Sequence, residues 1–282
     1  MSSHTNARLS SVPDGNATKP LGYCRDGGLR VNEVDVDHWL VKSSRRSGGD
    51  RWVLRRWGPQ AASSIEYERA LIVRLKAMGW PVAPFEEPLA FDGHIWSTFP
   101  VLPGEPKVIR DSSELRLRGG LLAEFHAETS RIEGLPQRPG WRRAEKILSD
   151  PQIDRILSSS EPAQPEEVHI IRWHLDRARL RIDGLKLEDD PSIPIHGDFA
   201  TWNLLFLDGQ FCGLLDFDLA HNDHRVGDFA LAWRRKYDEI IHGYEEISPL
   251  RPEERMAITP IWWAQLIEDA CRNLRQGTQV DD

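Results

Sequence analysis

The segment from His196 to Asp218 constrains the fold of this chain more than any other part of its sequence. It reads His-Gly-Asp-Phe-Ala-Thr-Trp-Asn, then an apolar run, an Asp-Gly pair, a second apolar run and finally Asp-Phe-Asp. An Asp-Gly pair between two apolar runs is a strong signal for a two-residue β-hairpin turn. The sequence therefore predicts a hairpin here, with polar residues gathered at its open end.

The register of this hairpin predicts which polar side chains meet. A tight turn pairs Leu207 with Gln210, and counting back pairs Asn203 with Leu214. Asp216 is then the diagonal neighbour of Asn203 on the same face, roughly 7–8 Å away. An amide oxygen and a carboxylate at that separation can clamp one hard cation, and Mg²⁺ prefers oxygen ligands. Asn203 and Asp216 are therefore the predicted Mg²⁺ ligands.

Asp198 is a further carboxylate of the segment and lies in the loop that leads into the first strand. It is free to orient a nucleophile while a bound cation neutralises phosphate charge. Positioning and charge neutralisation carry most of the catalysis in phosphoryl transfer. The pattern thus predicts a phosphoryl-transfer site with Asp198 as its catalytic residue. The alternative is an exposed loop with an Asx turn at a polar hairpin end.

The spacing His-x-Asp, four residues, Asn and a later Asp is that of the kinase catalytic loop, with Gly197 where protein kinases have Arg. The His-Gly-Asp form resembles the aminoglycoside phosphotransferase, choline kinase and homoserine kinase superfamily. This resemblance implies an α+β, protein-kinase-like two-lobed fold, with a β-rich N-lobe and a mainly helical C-lobe. It also implies that Asp198 is the base, that Asn203 and Asp216 hold Mg²⁺, and that Asp228 caps the next helix and braces the catalytic loop.

A kinase-like N-lobe needs a cation on its third strand. The return strand predicted at 51–57 carries both Arg55 and Arg56. Side chains alternate along a strand, so Arg55 shares a face with Val53, where the adenine-facing and phosphate-facing residues should lie. We therefore expect Arg55 to bind the nucleotide phosphates, which Arg can do in a bidentate way. The alternatives are Arg56 and a solvated arginine.

The same lobe needs a carboxylate on the helix that follows, which the sequence predicts from Ser63 or Ser64 to Met78. Glu68 shares a helix face with the apolar Leu71 and Leu75, so it can point inward. Glu68 is the predicted partner of the strand cation, and the alternatives are Glu66 and a surface role.

The stretch from Phe99 to Pro106 resembles the family's hinge. Adenine recognition needs one acceptor and one donor from extended backbone. Pro100 can supply only its carbonyl, which leaves the Leu102 N–H as the donor. Pro100 and Leu102 are therefore the predicted adenine contacts, and the alternative is a simple linker. Residues 28–42 contain no G-x-G-x-x-G loop, so no phosphate contact is predicted there.

The predicted organisation is a disordered tail at 1–19, an N-lobe at 20–103 and a C-lobe at 104–282. Strands are predicted at 28–36, 38–42 and 51–57, and as a hairpin around Asp92-Gly93 between Phe85 and Leu102. Helices are predicted at 113–129, within 162–186, at 228–244 and at 253–275. The stretch from Pro151 to Pro165, which contains three consecutive serines, is predicted to be a surface loop.

The composition argues against two classes of partner. The formal net charge of −8 disfavours nucleic acid and anionic membranes and is compatible with a cationic acceptor. No apolar run is long enough to cross a membrane, and the N-terminus lacks the apolar core of a signal peptide. The three cysteines are few, odd in number and without metal-ligand spacing. The sequence therefore predicts a cytoplasmic protein.

The function predicted from these patterns is ATP- and Mg²⁺-dependent transfer of a phosphoryl group to a hydroxyl of a small molecule. The acceptor is left open among metabolites, amines, sugars and antibiotics of the aminoglycoside kind, and the oligomeric state is not predicted. The alternatives are a protein kinase, which Gly197 argues against, and a nucleotide-binding pseudokinase or scaffold, which the missing glycine loop favours.

Overall fold

The computed structural model of this chain describes residues 29–33, 37–43, 51–58, 61–107, 111–136, 138–187, 190–232 and 238–276. Its N-terminal part is a five-stranded antiparallel sheet with the strand order β1-β2-β3-β5-β4. These strands are β1 Leu29–Glu33, β2 His38–Ser43, β3 Arg51–Trp57, β4 Leu89–Phe91 and β5 His94–Pro100, and one helix, α1 Ala62–Ala77, follows β3.

The hairpin between β4 and β5 turns at Asp92-Gly93, as predicted, and both of these residues have positive φ. The predicted start of α1 is wrong in one respect. Its N-cap is Ala61, which makes no side-chain cap, so neither serine begins the helix. The buried apolar residues of α1 hold it regardless, since tertiary packing outweighs the loss of a cap.

A second sheet has three strands. It consists of β6 Glu105–Pro106, β8 Leu204–Leu207 and β9 Gln210–Leu214, with β8 in the middle. The chain leaving the first sheet therefore pairs directly with the predicted hairpin. The loop after α1 makes a further connection, because the Leu214 N–H donates to the Pro81 carbonyl at 2.9 Å.

The rest of the described chain is mainly helical and contains one short two-stranded pair, β7 Ile193–Ile195 with β10 His221–Asp223. The helices are α2 Ser112–Thr129, α3 Ala144–Leu148, α4 Pro151–Ser160, α5 Pro165–Ile182, α6 Gly227–Ala232, α7 Asp238–Glu245 and α8 Pro252–Gln276. Within the helix predicted at 228–244, α6 and α7 are helical, and residues 233–237 lie outside the described residues.

The prediction of a surface loop from Pro151 to Pro165 is wrong, because most of that stretch is helix α4. Asp150 caps α4 by accepting the Gln152 N–H at 2.8 Å, and Pro151 occupies the first turn, where its missing N–H costs nothing. The helix buries Ile153, Ile156 and Leu157. The run of serines favoured a loop prediction, although the stretch also contains a short amphipathic pattern.

The core of the helical part depends on a close crossing of α2 and α7. A Cβ atom on Gly119 would lie 2.0 Å from the Ile240 carbonyl oxygen, so only glycine permits this approach. Tyr244 and Phe125 are fully buried beside the crossing. This packing fixes the position of His126 on α2, which faces the catalytic loop described below.

The predicted tail at 1–19 and residues 28 and 34–36 of the strand predicted at 28–36 lie outside the described residues. The lobe limits 20–103 and 104–282 stay predictions. Within the described residues, no helix is both long enough and apolar enough to cross a membrane.

Candidate active site

The loop that carries Asp198 follows β7 and is held by one buried carboxylate. Asp228 accepts the backbone N–H groups of His196 at 3.0 Å and Gly197 at 2.6 Å. Its Oδ2 also lies 2.8 Å from His126 Nε2. Asp228 sits in the first turn of α6 and not at its N-cap, so the predicted capping role is wrong. The hydrogen bonds to the loop are those expected of a brace.

Gly197 is required by the shape of this loop. Its φ is +80°, and a Cβ atom there would lie 2.3 Å from the carbonyl oxygen of Leu219. A side chain would therefore meet both backbone strain and a backbone clash. The loop consequently packs directly against the segment that follows Asp216.

His196 joins the two halves of the site through both of its ring nitrogens. Its Nδ1 accepts the Asp198 N–H at 3.2 Å, so Nε2 carries the proton and donates to the Leu215 carbonyl at 2.9 Å. Burial lowers the pKa of His196, which keeps the ring neutral as this pattern requires. The histidine thus ties the catalytic loop to the residue before Asp216.

The Asp198 carboxylate is oriented by two donors on one of its oxygens. Asn203 Nδ2 and Trp202 Nε1 each lie 3.1 Å from Asp198 Oδ2. Asn203 Nδ2 also donates to the Asp198 carbonyl at 2.9 Å. Oδ1 has no protein donor within the described part of the chain, so it is the oxygen left for a reacting group.

The hairpin register differs by one residue from the predicted one. A β-bulge next to Leu205 makes Leu204 pair with Leu214, where the tight-turn register would pair Asn203 with it. A bulge sets two residues of one strand against one of the other, and Cys212 is the extra residue here. Its Sγ lies 3.2 Å from the Pro103 carbonyl, so the bulge also contacts the predicted hinge.

Asn203 and Asp216 are brought together by a route other than the predicted strand face. Asn203 ends a 3-10 turn, and its carbonyl accepts the Leu215 N–H at 2.9 Å. The prediction that the two residues are diagonal neighbours on one face is therefore wrong. Asp216 follows Leu215 directly and turns away from the strand with a φ of +60°.

The donor set around these two residues fits Mg²⁺. Because the Asn203 amide nitrogen is used by Asp198, the amide oxygen is the atom left for a cation. Asp216 is exposed, and among the described residues one backbone N–H, that of Asp218 at 3.2 Å, donates to its carboxylate. Among the described residues, no group of three acidic, His or Cys side chains forms a cage. Two protein oxygens completed by water and phosphate are typical of Mg²⁺.

The structure contains the predicted ion pair between Arg55 and Glu68. Arg55 Nη1 lies 3.3 Å from Glu68 Oε1, and Glu68 is buried. Burial raises the pKa of Glu68 to about 7, against the lowering effect of Arg55. The two rejected alternatives lie elsewhere, since Glu66 is exposed and Arg56 pairs with Asp37.

Sequence reasoning assigned no role in the site to three residues, two beside this ion pair and one beside Asp198. Asp218 forms an ion pair with Arg55, which joins β3 to the segment that carries Asp216. Arg138 lies 3.8 Å from Glu68, and the indole of Trp202 contacts the carboxylate of Asp198. Arg138 lies in a Pro- and Gly-rich loop without periodicity, so no local signal marks it.

The predicted hinge residues lie at the end of β5. Pro100 pairs with Trp52 of β3, and Leu102 is partly buried beside Gly213 of β9. Pro100 is the last residue of β5, and Leu102 lies on the connection to the second sheet, as the hinge prediction requires. Their contact with adenine stays a prediction.

Comparison with known proteins places this arrangement in a family. The model of the phosphotransferase enzyme family matches residues 29–252. The chain belongs to this family. The match includes the loop of Asp198, the hairpin and the segment of Asp216, so the recognised motif and the family model agree.

Individual relatives of this phosphotransferase family member are distant. The homoserine kinase of Phenylobacterium zucineum is 31% identical over 121 residues, which are 38% of this chain and 36% of that protein. The chain thus matches about a third of the length of that relative.

Solved structures show the fold over most of the chain. The macrolide 2'-phosphotransferase of Brachybacterium faecium has a TM-score of 0.58 at 19% identity, covering 88% of this chain and 87% of that one. A spectinomycin phosphotransferase in complex with ADP and spectinomycin has a TM-score of 0.55 at 13% identity, covering 89% and 84%. The α+β, protein-kinase-like two-lobed fold predicted from the sequence is confirmed.

Proposed function

We propose that this chain transfers the γ-phosphoryl group of ATP to a hydroxyl group of a small molecule. The observation that carries the proposal is that Asn203 is hydrogen-bonded both to Asp198 and to the residue before Asp216. Its side-chain amide orients the Asp198 carboxylate, and its carbonyl holds the backbone beside Asp216. A base and a cation-binding carboxylate held by one residue are what phosphoryl transfer needs.

Asp198 is the proposed general base. Its Oδ1 accepts the proton of the acceptor hydroxyl. At the same time a new bond forms between the oxygen of that hydroxyl and the γ-phosphorus. The bond from the γ-phosphorus to the bridging oxygen breaks, and ADP leaves with the electron pair. Trp202 and Asn203 keep the other carboxylate oxygen in place, so the base does not have to reorganise during the reaction.

Asn203 and Asp216 are the proposed Mg²⁺ ligands. When bound, Mg²⁺ would neutralise charge on the nucleotide phosphates. Asp216 is held by its neighbours in the chain, because the Leu215 backbone is hydrogen-bonded to Asn203 and His196, and the Asp216 carboxylate accepts the Asp218 N–H. Preorganised oxygens of this kind favour binding of a hard cation.

Arg55 is the proposed phosphate-binding cation of the N-lobe. Its guanidinium lies 3.6 Å over the ring of Trp57 and between Glu68 and Asp218. The stacking fixes the plane of the guanidinium, which favours bidentate contact with phosphate. Pro100 and Leu102 are the proposed adenine contacts, through a carbonyl and an N–H respectively.

The nucleotide and the acceptor are supported by the family. Similar solved structures hold ADP with spectinomycin, AMP-PNP with hygromycin B, and in one case GDP. We propose ATP as the donor and a small hydroxyl compound as the acceptor, and the formal net charge of −8 suits a cationic one. Nucleic acid is not a proposed partner, and a cytoplasmic location stays a prediction.

A test of this function measures ADP release by the purified full chain with Mg²⁺ and with EDTA, across a panel of hydroxyl compounds. The panel contains homoserine, choline, aminoglycosides, spectinomycin and a macrolide, and GTP replaces ATP in a parallel series. We expect Mg²⁺-dependent ADP release stimulated by at least one compound, together with a gain of one phosphoryl mass by that compound.

Two outcomes would give the function to an alternative. Tight Mg-ATP binding without acceptor-stimulated turnover for any compound favours the pseudokinase or scaffold. Transfer of label to a protein substrate, with none to the small molecules, favours a protein kinase.

A further inference from the structure

Arg138 is a buried guanidinium beneath the segment that carries Asp216. It lies in the loop between α2 and α3, and only 5% of the residue is exposed. Buried arginine needs several partners, because it stays charged and its desolvation is costly. Burial lowers the pKa of Arg138, and Glu68 opposes that shift.

The partners of Arg138 on one side are two carbonyl oxygens. Its Nη1 donates to the carbonyl of Phe217 at 2.8 Å and to that of Ala220 at 2.7 Å. These two carbonyls lie on either side of Asp218 in the chain. Both hydrogen bonds come from one nitrogen, so the guanidinium fixes the distance between the ends of the turn that follows Asp216.

The partner of Arg138 on the other side is the helix carboxylate of the N-lobe. Arg138 Nη2 lies 3.8 Å from Glu68 Oε2, and Glu68 in turn contacts Arg55 at 3.3 Å. The ring of Tyr67, the residue before Glu68, lies 5.7 Å from the guanidinium. One buried side chain therefore contacts both helix α1 and the turn after Asp216.

The conformation of Asp216 explains why its turn needs such a contact. Its φ is +60°, a region that residues other than glycine enter at a cost, and Asp216 begins the turn that Arg138 closes. A backbone held in an uncommon conformation persists only where the surroundings determine it. The hydrogen bonds from Arg138 to the Phe217 and Ala220 carbonyls are such a determinant.

We propose that Arg138 is a positioning residue that holds Asp216 in its cation-binding conformation and ties that conformation to the position of Glu68. The proposal rests on the proposed function, because it takes Asp216 as a Mg²⁺ ligand. Arg138 is too buried to contact the nucleotide, so its effect on binding acts through Asp216. Loss of Arg138 therefore weakens the contribution of Mg²⁺ to nucleotide affinity and spares the part that does not need the ion.

The test is calorimetric titration of ADP into the full chain, with Mg²⁺ and with EDTA, for the wild type, Arg138→Ala and Arg138→Lys. We expect Arg138→Ala to lower ADP affinity about tenfold with Mg²⁺, as lost charge-assisted hydrogen bonds do, and to leave ADP affinity in EDTA within about twofold. Arg138→Lys keeps the positive charge and can still donate a hydrogen bond to these carbonyls. It should therefore recover part of the gain in ADP affinity that Mg²⁺ gives the wild type.

Arg143→Ala is the matched control. Arg143 lies five residues further along the same segment and also donates to two loop carbonyls, those of Leu187 and Asp190. Its loss should lower the thermal midpoint without changing the effect of Mg²⁺ on ADP affinity. Circular dichroism before each titration establishes that a variant is folded, and Arg138→Lys replaces Arg138→Ala in the comparison if the latter is not.

The outcomes separate the two proposals. A folded Arg138 variant with the wild-type effect of Mg²⁺ would overturn the positioning role. Equal losses with Mg²⁺ and in EDTA would also overturn it, because they indicate a general structural role. If the wild type itself gains no ADP affinity from Mg²⁺, the proposed function fails at its metal site, whatever Arg138 does.

Discussion

The backbone N–H of Leu215 donates a 2.9 Å hydrogen bond to the carbonyl oxygen of Asn203. This contact joins the two parts of the candidate site, since Asn203 also orients Asp198 and Leu215 precedes Asp216. The proposed base and the proposed metal ligands therefore lie on backbone segments that are joined by this hydrogen bond. Substituting them one at a time separates the two roles.

Replacing Asp198 with Asn should lower turnover about 100-fold or more, because the amide cannot accept the proton of the acceptor hydroxyl. Mg-ADP affinity should stay near the wild-type value, because Asp198 is not a proposed metal ligand. Steady-state ADP release and calorimetry measure the two quantities. Asp208→Asn, in the exposed hairpin turn, is the control. Full turnover by Asp198→Asn would remove Asp198 from the mechanism.

Replacing Asp216 with Asn should have the opposite pattern in binding. The loss of a charged oxygen ligand should lower Mg-ADP affinity at least about tenfold and leave ADP affinity in EDTA unchanged. Calorimetric titrations over a series of Mg²⁺ concentrations measure the change. An Asp216→Asn variant with unaltered Mg²⁺ dependence would show that the cation binds elsewhere.

Replacing Arg55 with Ala should raise the KM for ATP about tenfold, as expected for the loss of charge-assisted contacts to phosphate. The fold should persist, because Glu68 retains Arg138 as a partner. Arg56→Ala is the control, since Arg56 lies on the next position of the same strand and pairs with Asp37. Unchanged kinetics for Arg55→Ala, with a raised KM for Arg56→Ala, would transfer the role to Arg56.

Replacing Glu68 with Gln should change how stability depends on pH. Burial raises the pKa of Glu68 from 4.5 to about 7, so the native state binds this proton more tightly than the unfolded state does. The resulting contribution to stability is complete below the unfolded pKa and is lost as pH rises from 4.5 to about 7. The free energy of unfolding of the wild type, relative to Glu68→Gln, should therefore decline across that window.

Urea unfolding at a series of pH values measures this decline, and the exposed Glu66→Gln variant is the matched control. Glu66→Gln should follow the wild type at every pH. A constant difference between the wild type and Glu68→Gln across the window would mean that the pKa of Glu68 is the same in the native and unfolded states.

Much of the fold and of the site composition was predictable, because the signals are local. The spacing of His196, Asp198 and Asn203 marked the catalytic loop, and strand alternation distinguished Arg55 from Arg56. Helical periodicity similarly distinguished the buried Glu68 from the exposed Glu66. Each of these inferences depends on residues a few positions apart, where backbone geometry alone decides which side chains share a face.

The errors arose where packing between distant parts of the chain, or a misleading local composition, decided the structure. The register predicted from the tight turn does not include the bulge at Cys212. The predicted strand-face pairing of Asn203 and Asp216 is therefore wrong. A bulge depends on what the strand packs against, here the Pro103 carbonyl, and not on the turn residues. Helix α4 was missed because the run of serines outweighed its short apolar pattern.

The sequence by itself determined the family, the candidate catalytic loop and the choice of charged residues on β3 and α1, since short-range periodicity and spacing encode them. Only the tertiary structure decided how these parts meet. Arg138 reaches Phe217 across 79 positions of sequence, and Asp228 reaches Gly197 across 31. Contacts of this kind arise when packing brings distant backbone together, and the need to satisfy buried charges and N–H groups then selects the partners.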